Sequence, residues 1–209
     1  MELIDTHCHL DVADFDADRR QVLERARQQG VQSMVVPAVD AEHWAGLIQL
    51  CDSDQALFPA LGLHPVYLQV HKPEDISALE SEIEQRRPVA VGEIGLDYFI
   101  RELDREKQRV LFEAQLEVAR NAGLPVILHV RKAHDQVLSI LRRIRVRGGS
   151  AHAFNGSLQQ ARQYIDMGFK LGFGGMLTYQ RSHRLRRLAA ALPVDAIVLE
   201  TDAPDMVVA

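Results

Sequence analysis

The strongest constraint on this chain is a rhythm in which short apolar runs alternate with amphipathic stretches from one end to the other. The runs are Leu3-Ile4, Met34 to Val39, Phe58 to Leu63, Pro88 to Gly92, Pro125 to Leu128, Gly149 to Ala151, Phe169 to Phe173 and Ala196 to Leu199. Runs of this length between turn residues read as strands, and the stretches between them, such as Arg19 to Gln29 and Glu106 to Ala122, carry helical spacing. Gly30, Gly123 and Gly168 stand shortly before a following run, where helices commonly stop. Strands that alternate with helices form a parallel sheet with right-handed crossovers. About eight such units close a (β/α)8 TIM barrel, whose active site lies at the carboxyl ends of the strands. An α/β barrel is therefore the expected fold.

Ionisable residues gather at those same ends. Asp5-Thr6-His7-Cys8-His9 follows the first run. Alternate residues of a strand share a face, so His7 and His9 can meet one metal ion. Two alternate histidines near a terminus also occur as plain surface residues. Glu93, in Val91-Gly92-Glu93-Ile94-Gly95, follows a β-rich run, where a carboxylate is costly to bury unless paired or metal-bound. A glutamate can bridge two ions, which casts Glu93 as the centre of a two-metal site with ions roughly 3.5–4 Å apart. His129 and His152 end two further runs, and a lone histidine there is more often a satisfied core residue. Together with the H-x-H pair and two carboxylates they read as ligands. In Glu200-Thr201-Asp202, Asp202 is placed to bind metal and accept a proton, with Glu200 one step deeper orienting a ligand. The plainer alternative is that both cap a turn before Pro204. Mixed nitrogen and oxygen donors suit Zn²⁺, Mn²⁺ or Mg²⁺.

Composition narrows the setting. At 209 residues, 47% hydrophobic and 25% charged, the chain can bury one substantial core, and a single domain over 1–209 is expected. Its two cysteines, Cys8 and Cys51, form no CxxC pair, which suits a reducing compartment. No signal-peptide pattern or membrane-length apolar run is present, so a cytoplasmic location is expected. A net charge of -5 argues against coating nucleic acid by bulk attraction. It leaves nucleic acid open as a substrate, because two divalent ions would reverse the sign of the cleft. Ala209 comes seven residues after Asp202, so no helix is expected after strand eight. The expectation is a C-terminally shortened barrel, a monomer or weak oligomer through the outward faces of Ile197, Leu199 and part of strand one.

The motifs DTHCHLD at 5–11, GLHP at 62–65, VGEIGLDY at 91–98, PVILHVRKAHD at 125–135, HAFNGS at 152–157 and LETDAPDM at 199–206 span nearly the whole chain. Taken together they resemble the TatD family of metal-dependent deoxyribonucleases, among the amidohydrolase-like barrels. The resemblance implies that His7, His9, Glu93, His129, His152 and Asp202 hold two divalent metal ions. It also implies that His64 and Arg131 hold the substrate phosphate. Departures are Val130 where the family often has Ser, Ala153 where it has Cys, and an end at Val207-Val208-Ala209 where the family continues.

The expected function is hydrolysis of DNA phosphodiesters, at single strands or chain ends, by a metal-activated water. The alternatives are a small-molecule amidohydrolase or phosphoesterase on the same barrel, or an inactive truncated remnant. Loops after the strands read as short, favouring an open cleft. The segment Arg181 to Arg187 reads either as a contact for a nucleic-acid backbone or as a solvated helix face. Tyr98 and Tyr179 read either as base-stacking platforms or as rim packing.

Overall fold

Every apolar run becomes a parallel strand, and an α-helix follows each of the first seven. The computed structural model describes residues 1–209. In chain order the elements are β1 (Leu3–Asp5), α1 (Arg19–Gln28), β2 (Val31–Pro37), α2 (Trp44–Asp52), β3 (Leu57–Leu61) and α3 (Asp75–Arg86). There follow β4 (Ala90–Asp97), α4 (Arg105–Ala122), β5 (Val126–Arg131), α5 (His134–Arg143), β6 (Gly149–Ala151), α6 (Leu158–Asp166), β7 (Phe169–Phe173), α7 (His183–Ala190) and β8 (Ile197–Leu199). Strands pair strictly in sequence order, β1 through β8. The result is a nearly closed barrel with the helices outside.

Closure between β1 and β8 is made just beyond the strands. Thr6 donates its backbone N–H to the Leu199 carbonyl at 3.0 Å, and Asp202 N–H reaches the His7 carbonyl at 2.8 Å. The Asp5 carboxylate strengthens this seam: Oδ1 accepts from the N–H of His7 (3.2 Å) and of Thr201 (3.0 Å), and Oδ2 from the Thr201 hydroxyl at 2.6 Å. No α-helix follows β8, and Ile4 and Leu199 remain about half exposed on the outer face.

The strand that organises the barrel is β4, buried along its entire length. Its pairing with β5 shifts register between Val91 and Ile94, and Glu93 lies inside that shift rather than at the strand end. Gly95 sits beside it at φ +148, and a Cβ there would lie 2.0 Å from the His129 carbonyl oxygen. Only glycine lets β4 and β5 approach this closely. His7 and His9 likewise lie past the last residue of β1, in the segment that follows Asp5. The loops after β1 and β3, residues 6–18 and 62–74, are longer than the sequence suggests, and each contains a 3-10 turn.

Helix α4 locks onto this strand. Asp104 caps its start by accepting from the N–H groups of Glu106 and Lys107, and Gly123 at φ 66 ends it. Phe112, Leu116 and Ala119 are fully buried against the sheet. Two buried glutamines, two helical turns apart, each grip one backbone unit at both ends. Gln108 accepts from Asp97 N–H (2.8 Å) and donates to the Asp97 carbonyl (2.9 Å). Gln115 does the same at Leu63 (2.7 and 3.0 Å). Inside the barrel, Ile127 packs with Ala60 and Ala90, on the face of β5 that His129 shares one step nearer the mouth.

Phe112→Ala should destabilise the fold by about 3–5 kcal/mol, the usual cost of emptying a fully buried aromatic site. The midpoint of urea unfolding at unchanged slope checks this.

Candidate metal centre

A single carboxylate divides its two oxygens between two sets of imidazoles. Glu93 is 1% exposed. Its Oε2 faces His7 Nε2 at 3.1 Å and His9 Nε2 at 3.4 Å. Asp202 Oδ1 completes this first set, 3.4 and 3.6 Å from the same two nitrogens. Glu93 Oε1 faces His152 Nε2 at 2.8 Å, His129 Nδ1 at 2.9 Å and His64 Nε2 at 3.2 Å. The seven residues named here come from within β4 and β5 and from just past the ends of β1, β3, β6 and β8, so only the closed barrel brings them together.

Hydrogen bonds on the far side of three of the rings, those of His9, His129 and His64, decide which nitrogen points inward. His9 Nδ1 bonds the Pro37 carbonyl at 3.1 Å, a contact only an N–H can make, so neutral His9 presents the lone pair of Nε2 to the carboxylates. His129 gives Nε2–H to Asp97 Oδ2 at 2.9 Å and presents Nδ1. Lone pairs facing carboxylate oxygens at these distances repel unless positive charge lies between them. That charge is either a proton on each ring or a shared cation, and the donor set of nitrogens and oxygens fits divalent ions well. Groups close enough together to hold one are His7, His9 and Asp202 on one side, and His7, Glu93 and His152 on the other; His64 lies as near to Glu93 and His129, but its tautomer sets it apart.

His64 differs from the rest. Its Nδ1 accepts from the backbone N–H of Val66 at 3.1 Å, so the ring's proton sits on Nε2. It therefore donates toward Glu93 Oε1 rather than offering a lone pair, which suits a group that contacts substrate. Burial pushes its pKa down to about 4 and keeps it neutral. Arg131 stands at the mouth, half exposed, its guanidinium 3.5 Å from Asp97 Oδ2 and stacked on the Phe99 ring at 4.3 Å. Glu93, His64, His129, His152, Asp202 and Arg131 all line one cavity of about 390 Å³.

The electrostatics follow from burial and crowding. Burial alone would raise the Glu93 carboxyl, but His152, His64 and His7 outweigh it and hold it well below the usual carboxylate range. Burial pulls His7 down to about 3, with His152 adding to the effect. At His152 burial also acts downward, yet attraction to Glu93 prevails and lifts the ring to about 9. Burial pushes Glu200 up to about 7. Its Oε1 accepts from the Ala153 N–H at 2.6 Å, so it fixes the backbone just after His152 rather than any ring. A Cβ at Gly172 would lie 2.0 Å from its Oε2, which explains the glycine in β7.

All eight site residues expected around the cleft thus meet there, with Glu200 behind them. Sequence reasoning missed two supporting carboxylates, Asp97 and Asp5. Asp97 is fully buried and orients His129. Its only signal was position, four residues after Glu93 on the same strand-like segment. Asp5 was visible as the first residue of the H-x-H motif, but its partner Thr201 lies at the other end of the chain.

Two measurements check this arrangement. Asp97→Asn keeps an acceptor for His129 but loses the charge, and should weaken metal affinity about 10–100-fold, read by competition with a fluorescent chelator. Adding a divalent ion at about 100 times its dissociation constant should stabilise the metal-stripped protein by roughly 2.7 kcal/mol, read as a rise in unfolding midpoint.

Comparison with known proteins agrees with the geometry. Residues 4–208 match the family model described as TatD related DNase. The metal-dependent hydrolase YjjV of Escherichia coli (strain K12) is 45% identical over 206 residues, covering 97% of this chain and 80% of that protein. A metal-dependent hydrolase of Haemophilus influenzae is 40% identical, covering 99% of this chain and 82% of its own length. The crystal structure of the Escherichia coli YjjV protein, a TatD homologue, superposes with a TM-score of 0.95 at 44% identity, covering 99% of this chain and 81% of that one. This chain belongs to the TatD family of metal-dependent hydrolases.

Proposed function

We propose that the protein hydrolyses phosphodiester bonds in DNA, at single strands or chain ends. One observation carries the reading. Beside the divided carboxylate of Glu93, the cavity presents two N–H donors that are not lone-pair ligands: neutral His64 through Nε2–H, and the Arg131 guanidinium. A forked guanidinium and a neutral imidazole N–H suit the non-bridging oxygens of a phosphate. The family description as a DNase points the same way.

His7, His9, Glu93 and Asp202 would hold one divalent ion, and Glu93, His129 and His152 a second. Two such ions supply positive charge to the phosphate and make water more acidic at neutral pH. The chain's own residues do the rest. Arg131 and His64 fix the phosphate oxygens and the angle at which phosphorus is presented. Asp202 spends Oδ1 on the His7 and His9 side, while Oδ2 lies 3.9 Å from His152 Nδ1 and is free to accept the water's proton. Water oxygen bonds to phosphorus, one ester P–O bond breaks, and the proton passes on to the departing hydroxyl. Asp97 and the Pro37 carbonyl keep His129 and His9 in the required tautomers throughout.

The test is incubation of metal-stripped protein with end-labelled single-stranded DNA, adding back Mg²⁺, Mn²⁺ or Zn²⁺, with Asp202→Asn as control. Metal-dependent shortening that the variant lacks is the expected result. Absence of cleavage from a folded, metal-loaded protein would overturn the nuclease reading and favour a small-molecule substrate. Glu93→Ala should abolish turnover, since both donor sets depend on it. Arg131→Ala should raise KM while leaving kcat within a small factor, the mark of lost ground-state binding.

A further inference from the structure

Beyond Arg131 the cavity does not end. Arg131 also lines a second hollow, with Phe99, Lys132, Asn155 and Arg184 among its walls. Asn155 and Arg184 in turn line a third, together with Tyr179 and Arg181. Shared residues set the three hollows edge to edge, in a row that leads from Glu93 along the carboxyl ends of β5 and β6 to the loop after β7. No Asp or Glu lines either outer hollow. In a chain of net charge -5 this is a local inversion of sign.

The cations in the groove are available. Lys132 and Arg181 are exposed and make no ion pair with any carboxylate. Arg184 donates to the carbonyls of Asn155 (2.7 Å) and Gly156 (3.1 Å), which hold it in place without neutralising it. Its neighbour Arg186 is different: it caps its own loop at the Leu177 and Tyr179 carbonyls and takes no part. Two aromatic rings stand along the same path. Phe99 is 56% exposed with one face under Arg131, and Tyr179 is 41% exposed with its hydroxyl tied to the Val207 carbonyl at 2.6 Å. Cations at intervals, interleaved with exposed rings, are the pattern that grips an unpaired polynucleotide through its phosphates and base faces.

We propose that this groove is a strand-binding track: single-stranded DNA whose reacting phosphate lies at Glu93 runs out past Arg131 and Lys132 to Arg184, Arg181 and Tyr179. The proposal rests on the nuclease reading and extends it, since it sets how many nucleotides beyond the cleaved bond the protein senses. Duplex DNA is disfavoured, because paired bases cannot reach Phe99 or Tyr179. The track also explains how an acidic protein holds an anionic chain without a basic surface.

The test measures binding and cleavage separately. Fluorescence anisotropy compares a labelled thymidylate dodecamer with a trimer, on the wild type, on a Lys132→Glu/Arg181→Glu double variant, and on Arg145→Glu, which lies two residues past the C-terminal end of α5. The wild type and Arg145→Glu should bind the dodecamer at least about tenfold more tightly than the trimer, and the double variant should lose that advantage. Its slope of log affinity against log salt should fall by about 1.4, the value for two phosphate contacts on a single strand. Equal affinity for both lengths in the wild type, an advantage kept by the double variant, or equal binding of a dodecamer duplex would each overturn the track. Cleavage of oligonucleotides without any length advantage would remove the track and leave the nuclease reading standing. A length advantage in binding without cleavage by the metal-loaded protein would do the reverse.

Discussion

Glu93 brings a negative charge to a place with almost no water and surrounds it with imidazoles, and most of the structure answers that one decision. An isolated carboxylate there would cost several kcal/mol to bury. It is tolerated because its two oxygens meet nitrogens from four other strands, all aimed inward. Those nitrogens cannot be supplied by neighbours in sequence. A closed barrel is the simplest scaffold that brings so many strand ends to one point, and the register shift in β4 turns Glu93 into its centre. The charge at the core and the curvature of the sheet are thus one problem with one solution.

Much of this could be read from the chain itself. The alternation of runs and amphipathic stretches specified the barrel because parallel strands buried on both faces leave an apolar signature, and because glycines marked the helix ends. The candidate site was legible for a related reason: His7, His9, Glu93, His129, His152 and Asp202 all stand out beside apolar runs. What escaped notice is what depends on contacts between distant segments. Glu93 looked like a strand end, since nothing local reveals that β4 continues to Asp97 through a register shift. Asp97 was not singled out, because its partner His129 is on another strand. Helical spacing over Glu106 to Ala122 says nothing of Gln108 and Gln115, and only the packed fold shows them turned inward. The length of the loops after β1 and β3 was underestimated because short 3-10 turns carry little periodic signal.

The seam between the first and last strands shows how little hydrogen bonding a barrel of this kind needs to close. β1 and β8 are three residues each, and no ladder joins them. Closure rests on a few backbone bonds and on Asp5, whose buried carboxylate satisfies three donors at once. The same stretch delivers His7, His9 and Asp202 to the site. Stability at the seam and composition of the site are therefore written into the same dozen residues, which leaves little freedom to alter one without the other.

The paired glutamines of α4 carry a further consequence. Each grips a backbone unit one residue from a working side chain or at its support: Leu63 precedes His64, and Asp97 orients His129. Because both grips belong to one rigid rod, α4 works as a caliper with fixed jaws set across β3 and β4. Breathing that widens the gap between those strand ends must break at least one grip, at a cost of two buried hydrogen bonds. Substrate can therefore shift the rim of the cleft, where Arg131 and the loops lie, but the spacing between His64 and His129 is set from outside the barrel by a helix that never touches the reacting atoms.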